Sequence, residues 1–170
     1  MQTAKVIVTP YNEAWKSDFE AIKRELIAAI GDRIIGVEHV GSTSVEGLSA
    51  KPCIDIDVII QDDSMLESVV NGLASIGYIH EGDLGIKGRE AFQYSDKPHL
   101  QKHHLYVCPQ DSEELHRHIT FRNFLKSHPE AVKHSRIKEI AAQQFPDDIN
   151  QYIAYKSPCI EELYRLCGLK

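Results

Sequence analysis

The segment Cys53-Ile-Asp-Ile-Asp-Val-Ile-Ile60 constrains the fold more than any other part of the chain. Its side chains alternate with a period of two. Ile54, Ile56, Val58 and Ile60 therefore fall on one face of an extended strand, and Cys53, Asp55, Asp57 and Ile59 on the other. Four apolar side chains on one face require a core on that side, and a strand of this kind requires neighbouring strands. The chain offers them at 34–40, which is β-rich, and more weakly at 78–80, 91–94 and 103–107.

Helices are expected around these strands. Trp15, Phe19, Ile22, Leu26 and Ile30 recur at helical spacing over 13–30, with Asn12 placed as a cap. Ser64-Met-Leu-Glu67 reads as a capping box opening a helix that carries Leu66, Val69, Val70 and Leu73, and Gly77 suits its end. Beyond residue 112 the signals are helical. One helix spans 113–127, with the acids of 111–114 at its N-terminus. A second has Pro129 in its first turn and reaches Phe145. A third starts near Asp147, and Pro158 is expected to kink or restart it with Ser157 as cap. The order predicts an α+β fold: a mixed β-sheet with helices packed on it and a helical C-terminal third at about 112–170. No repeat, low-complexity tract or Pro/Gly/Ser linker divides the 170 residues, so a single domain, 1–170, is expected.

Charge narrows the function. Lys and Arg total 19 against 25 Asp and Glu, a net charge of −6, which argues against binding nucleic acid or a membrane surface by bulk charge while leaving room for a local basic groove. No apolar run approaches the ~20 residues of a membrane span. The N-terminal eight residues lack a signal-peptide core. Cys53, Cys108, Cys159 and Cys167 form no C-x-x-C pair and read as reduced, buried thiols in a cytoplasmic protein.

Asp55 and Asp57 are the sharpest chemical feature. Two carboxylates side by side raise each other's pKa, and a divalent cation such as Mg²⁺ removes that penalty; a solvated acidic strand face is the alternative. Thirteen residues before Asp55 stands Ser42, in His39-Val-Gly-Ser-Thr43. Gly41 permits close approach to a ligand, and the Ser42 hydroxyl and backbone N–H groups can hold phosphate oxygens; an ordinary tight turn is the alternative. His104 shares a strand face with Tyr106. It is a candidate third ligand, favouring Mn²⁺ or Zn²⁺, or a base, against a satisfied half-buried histidine. Lys51 and Arg89 are candidate phosphate contacts, against ion pairs with Asp55 or Asp57. His39 is a weaker ligand candidate. His99, His116, His118, His128 and His134 are expected on solvated or helix faces, and Gly82, Gly85 and Gly88 in a loop near the site.

A Gly-Ser turn followed by acidic-apolar-acidic on the next strand resembles the nucleotidyltransferase superfamily. The longer string from Val37 to Asp57, VEHVGSTSVEGLSAKPCIDID, resembles its GrpB branch, as do Pro10-Tyr11-Asn12…Trp15, Gly88-Arg89, 103–107, 122–125, 145–148 and Tyr152…Lys156. The resemblance implies a nucleotidyltransferase-like sheet, Mg²⁺ held by Asp55 and Asp57, and a nucleoside triphosphate whose phosphates meet Gly41 and Ser42. It implies transfer of a nucleoside monophosphate to a small-molecule or protein hydroxyl. The superfamily adds a third carboxylate on a neighbouring strand; 103–107 carries none, and has Tyr106 where the family leads one to expect a second histidine. A non-catalytic nucleotide or phosphate-metabolite binder, or a transition-metal hydrolase using Asp55, Asp57 and His104, are the other readings.

Overall fold

The computed structural model describes residues 7–128 and 130–169, with backbone alone for 130–136. Pro129 and the side chain of His134 lie outside the described residues. The alternating segment forms β2 (Ile54–Ile60), and its apolar face is fully buried. At roughly 1.5–3 kcal/mol per buried side chain, those four residues anchor the molecule. β1 (Gly36–Val40) runs antiparallel to β2, and β5 (His103–Pro109) runs parallel to it on the other side. β4 (Glu90–Gln93) and β3 (Ile79–Gly82) complete a five-stranded mixed sheet in the order β1-β2-β5-β4-β3.

The two faces of the sheet are covered by different helices. On the face of Ile54, Ile56 and Val58 lie α1 (Ala14–Ile30) and α2 (Leu66–Ala74), giving a core that includes Trp15, Phe19, Ile22, Leu26, Ile30, Val69 and Leu73. Asn12 caps α1, accepting a hydrogen bond from the Ala14 N–H at 2.9 Å. The entry to α2 differs from expectation. Asp62, not Ser64, is the capping residue, its carboxylate accepting from the Ser64 N–H across a short 3-10 turn. A carboxylate is the stronger acceptor at a helix start, and Asp62 stands one turn earlier.

On the opposite face, where Asp55 and Asp57 project, lies α3 (Glu113–Ser127), capped by the Ser112 hydroxyl and with Glu113 and Glu114 in its first turn as expected. Arg122 pins α3 to β1, donating to Glu38 Oε2 at 2.6 Å and to the His39 carbonyl at 2.9 Å. α4 (Glu130–Gln144) and α5 (Ile149–Leu166) follow, and α5 starts at Asp148, whose carboxylate accepts from the Gln151 N–H. α5 passes through Pro158 without a break, and Ser157 does not cap it; the Ser157 hydroxyl donates to the Ile153 carbonyl instead. Packing of Tyr152, Cys159 and Leu163 on one side of the helix outweighs the hydrogen bond that proline removes. No disulfide joins the four cysteines, and of them only Cys108 is fully buried. No helix among the described residues is long and apolar enough to cross a membrane.

Candidate functional site

The chain turns sharply after β1. Gly41 has φ 73° and ψ −174°, a conformation open to glycine and closed to residues with a Cβ. It brings the backbone against β2: a Cβ at Gly41 would lie 2.3 Å from Asp55 Oδ2. The next three residues, Ser42–Ser44, form a 3-10 turn. His39 holds this turn from behind. Its Nε2 lies 2.8 Å from Thr43 Oγ1, its ring stacks on Phe19, and burial lowers its pKa to about 4. It pairs in register with Ile56 and so stands on the core face, away from the carboxylates.

Asp55 and Asp57 do project side by side on one face, but into different surroundings. Asp55 pairs in register with His104, whose Nδ1 lies 3.0 Å from Asp55 Oδ1. The hydrogen bond to Asp55, followed by one to Cys53, lifts His104 to about 10, so its imidazole is charged at neutral pH. Asp57 is 0% exposed. Its Oδ2 lies 2.6 Å from His118 Nδ1 on α3, and its Oδ1 is buried without a hydrogen-bond partner. Burial raises the pKa of Asp57, against the opposing pull of His118. Burial also opposes charge on His118, yet its bond to Asp57 and the nearby Glu114 raise its pKa. The His118 Nε2 lies 3.5 Å from Glu114 Oε2.

Each carboxylate thus has its own histidine. Among the described residues no group of three or more His, Cys, Asp and Glu side chains is arranged to hold a metal ion, so Asp55, Asp57 and His104 are adjacent without forming a three-ligand centre. Glu38, opposite Asp57 on β1, is engaged by Arg122. Tyr106 stands beside Asp57 on β5, and the Arg89 guanidinium lies over its ring at 4.2 Å. Arg89 is near enough to Asp57 to favour its ionised form, but its Nε is buried without a partner and it does not line the cavity described next.

That cavity, about 130 Å³, is lined by Ser42, Lys51, Asp55 and His104 from the sheet side and by Lys138, Tyr152 and Lys156 from α4 and α5. The Lys138 ammonium hydrogen-bonds the Ser42 hydroxyl. Lys138 is 5% exposed. Burial, then the charge of Lys156, lowers its pKa to about 7. Lys156 is lowered too, by burial and then by Lys51. Lys51 and Lys156 both approach the Tyr152 ring, at 5.5 and 4.8 Å from its centroid. Three lysines, a serine hydroxyl and one partly exposed carboxylate surround this small space, which concentrates positive charge there.

Sequence reasoning placed Gly41, Ser42, Lys51, Asp55, Asp57 and His104 in one region, and the structure brings them together. It missed His118, Lys138 and Lys156. Each is a polar residue in a helical stripe that carries buried side chains: Leu115 and Leu125 with His118 on α3, Ala141 with Lys138 on α4, Tyr152 and Leu163 with Lys156 on α5. A polar residue within such a stripe was the signal available. If Asp57 ligates Mg²⁺ and His118 orients it through Nδ1, His118→Asn, which keeps a donor at that position, should retain most of the wild-type Mg²⁺ affinity. His118→Leu should lose about tenfold, the order of one charge-assisted hydrogen bond. Titration calorimetry showing equal affinities for the two variants would remove His118 from that role.

Comparison with known proteins identifies the family. The family profile described as GrpB protein matches residues 5–166. The chain belongs to the GrpB family. Glutamate-rich protein GrpB of Alkalihalophilus pseudofirmus is 31% identical over 163 residues, 94% of each chain. UPF0157 protein YqkA of Bacillus subtilis is 34% identical over 158 residues; the match covers 92% of this chain but 46% of that relative, so the chain spans about half its length. The crystal structure of conserved protein GrpB from Enterococcus faecalis superposes with a TM-score of 0.79 at 32% identity, covering 94% of this chain and 98% of that one. None of these names specifies a reaction, so the chemistry of this GrpB chain has to be argued from its site.

Proposed function

We propose that this GrpB protein binds a nucleoside triphosphate with Mg²⁺ and transfers the nucleoside monophosphate to a hydroxyl group. One observation carries the reading: Ser42, Lys51, Lys138 and Lys156 converge on a small cavity whose wall is Asp55. Cations and a hydroxyl there suit the β- and γ-phosphates, and a carboxylate beside them suits a cation bridging protein and phosphate. The donor set fits Mg²⁺, which takes one or two carboxylates and completes its shell with water and phosphate. Asp55 is partly exposed to the cavity, and Asp57 Oδ1 is a buried oxygen lacking a partner. The set does not fit a three-ligand Mn²⁺ or Zn²⁺ centre, because among the described residues no three such side chains are grouped to hold one ion. When bound, Mg²⁺ would neutralise phosphate charge and polarise the α-phosphoryl group.

The protein's own part is positioning. The Gly41-Ser42 turn and the three lysines hold the phosphate chain and receive pyrophosphate as it leaves. His104, fixed by Asp55, stands at the edge facing the incoming hydroxyl. The absence of a carboxylate at Tyr106, opposite Asp57, favours a second reading in which the site binds nucleotide without turnover.

The test is a thermal-shift screen of the four ribonucleoside triphosphates with and without Mg²⁺, followed by transfer of label from the α-phosphate. A ligand bound by the folded state alone raises apparent stability. Wild type is expected to be stabilised by triphosphate and Mg²⁺ together. Asp55→Asn and Asp57→Asn should abolish the Mg²⁺-dependent part while remaining folded. A shift of the same size in both variants would remove the carboxylates from the site; binding without label transfer would select the second reading.

A further inference from the structure

We propose that a second, larger cavity meeting the first at His104 is the seat of the acceptor, and that the acceptor is a small hydroxyl-bearing molecule rather than a protein side chain. The inference rests on the transfer reading above. The cavity, about 690 Å³, lies where the strands β2 and β5 begin and α5 starts. Its volume falls within the ~300–1,000 Å³ of small-molecule sites. Pro52, Cys53 and Ile149 supply apolar walls, Lys102 a donor on the sheet side, and Asp147 and Asn150 polar groups on the helix side.

The stereochemistry of displacement assigns its role. At the α-phosphorus the bond to the attacking oxygen forms opposite the bond that breaks. The α–β bridging P–O bond breaks, and pyrophosphate takes its electron pair toward Ser42, Lys138 and Lys156. The hydroxyl oxygen therefore arrives from the other side and releases its proton to solvent. Lys51, Cys53 and His104 line both cavities, whereas Ser42, Lys138 and Lys156 line the small one. The large cavity thus adjoins the small one at Lys51, Cys53 and His104 rather than at Ser42, Lys138 and Lys156, and it is assigned to the attacking hydroxyl. Its lining selects a molecule with a compact carbon body, an ammonium or further hydroxyl for Asp147, and an acceptor for Lys102: an amino alcohol or amino sugar rather than a polypeptide.

Ile149 is 39% exposed at the first position of α5, and Ile153 is 46% exposed one turn later and outside the cavity lining. Ile149→Trp should fill the cavity, and Ile153→Trp is the matched control. Saturation-transfer NMR with ethanolamine, glucosamine and ribose, in the presence of Mg²⁺ and α,β-methylene-ATP, reads occupancy. At least one probe is expected to bind wild type and Ile153→Trp equally, and Ile149→Trp about tenfold more weakly, a difference of about 1.4 kcal/mol. The α,β-methylene-ATP affinity should be the same in all three proteins. If Ile149→Trp weakens α,β-methylene-ATP itself, the cavity holds the nucleoside and the proposal is overturned. It is overturned equally if no probe binds wild type. A wild type that takes a probe but no nucleotide would overturn the transfer reading, and the acceptor role with it, by a result different from either of those.

Discussion

Gly41→Ala is expected to cost the protein the nucleotide site proposed for it while leaving a folded chain. The added methyl would sit 2.3 Å from Asp55 Oδ2 and 3.1 Å from its Cβ and Cγ, so either the carboxylate or the turn must move. The backbone conformation adds roughly 1–3 kcal/mol of strain for any residue with a Cβ. Both effects act on the same spot, between the Gly41-Ser42 turn and the carboxylate facing it. Affinity for triphosphate with Mg²⁺ should fall roughly 100-fold, about 2.8 kcal/mol. Gly47→Ala is the control. Gly47 also has a positive φ, 85°, but no atom lies within 4 Å of its Cβ position, so it should lose stability with no change in affinity. Urea unfolding and titration calorimetry on both variants separate the two effects. Wild-type affinity in Gly41→Ala would show that the turn and Asp55 do not share a ligand.

The second large effect concerns Lys138, and it runs in opposite directions for stability and binding. A buried ammonium beside Lys156 and Lys51 is costly to the empty protein, and replacing a buried charge by an apolar side chain of similar volume is often neutral or stabilising by about 1–4 kcal/mol. Lys138→Met should therefore fold at least as well as wild type while losing most of its affinity for inorganic triphosphate. The pH dependence has a definite sign. Lys138 titrates near 7 in the folded protein against an ordinary value of 10.5. Between those values the unfolded chain binds more protons, so wild-type stability rises with pH relative to Lys138→Met. The penalty is fully present below pH 7 and gone above 10.5. Urea unfolding of both proteins from pH 6 to 9.5 reads this directly. A constant difference, or unchanged triphosphate affinity in the variant, would place Lys138 outside the site.

The helices at the C-terminus show where sequence reading stops. The carboxylates of β2 and the glycine-serine turn were legible because their spacing along the chain is local: period two in a strand, and a turn directly after another. His118, Lys138 and Lys156 were not, because each reaches the site across a long separation in sequence. His118 is 61 residues from Asp57, and Lys138 is 96 from Ser42. Their own helices mark them as polar interruptions in buried stripes but do not say what they face. Pro158 shows the converse: the local rule against proline in a helix was overridden by the packing of Tyr152 before it and of Cys159 and Leu163 after it.

By itself the sequence determined the strand that carries the carboxylates, the face they share and the turn after the preceding strand, since these follow from residues near one another in the chain, and, through motifs spread along it, membership of the GrpB family. Only the tertiary structure decided which charges meet. It gave Asp55 and Asp57 separate histidine partners and directed Lys138 and Lys156 onto Ser42 and Asp55, because desolvation and charge pairing depend on distances through space that no pattern along the chain records.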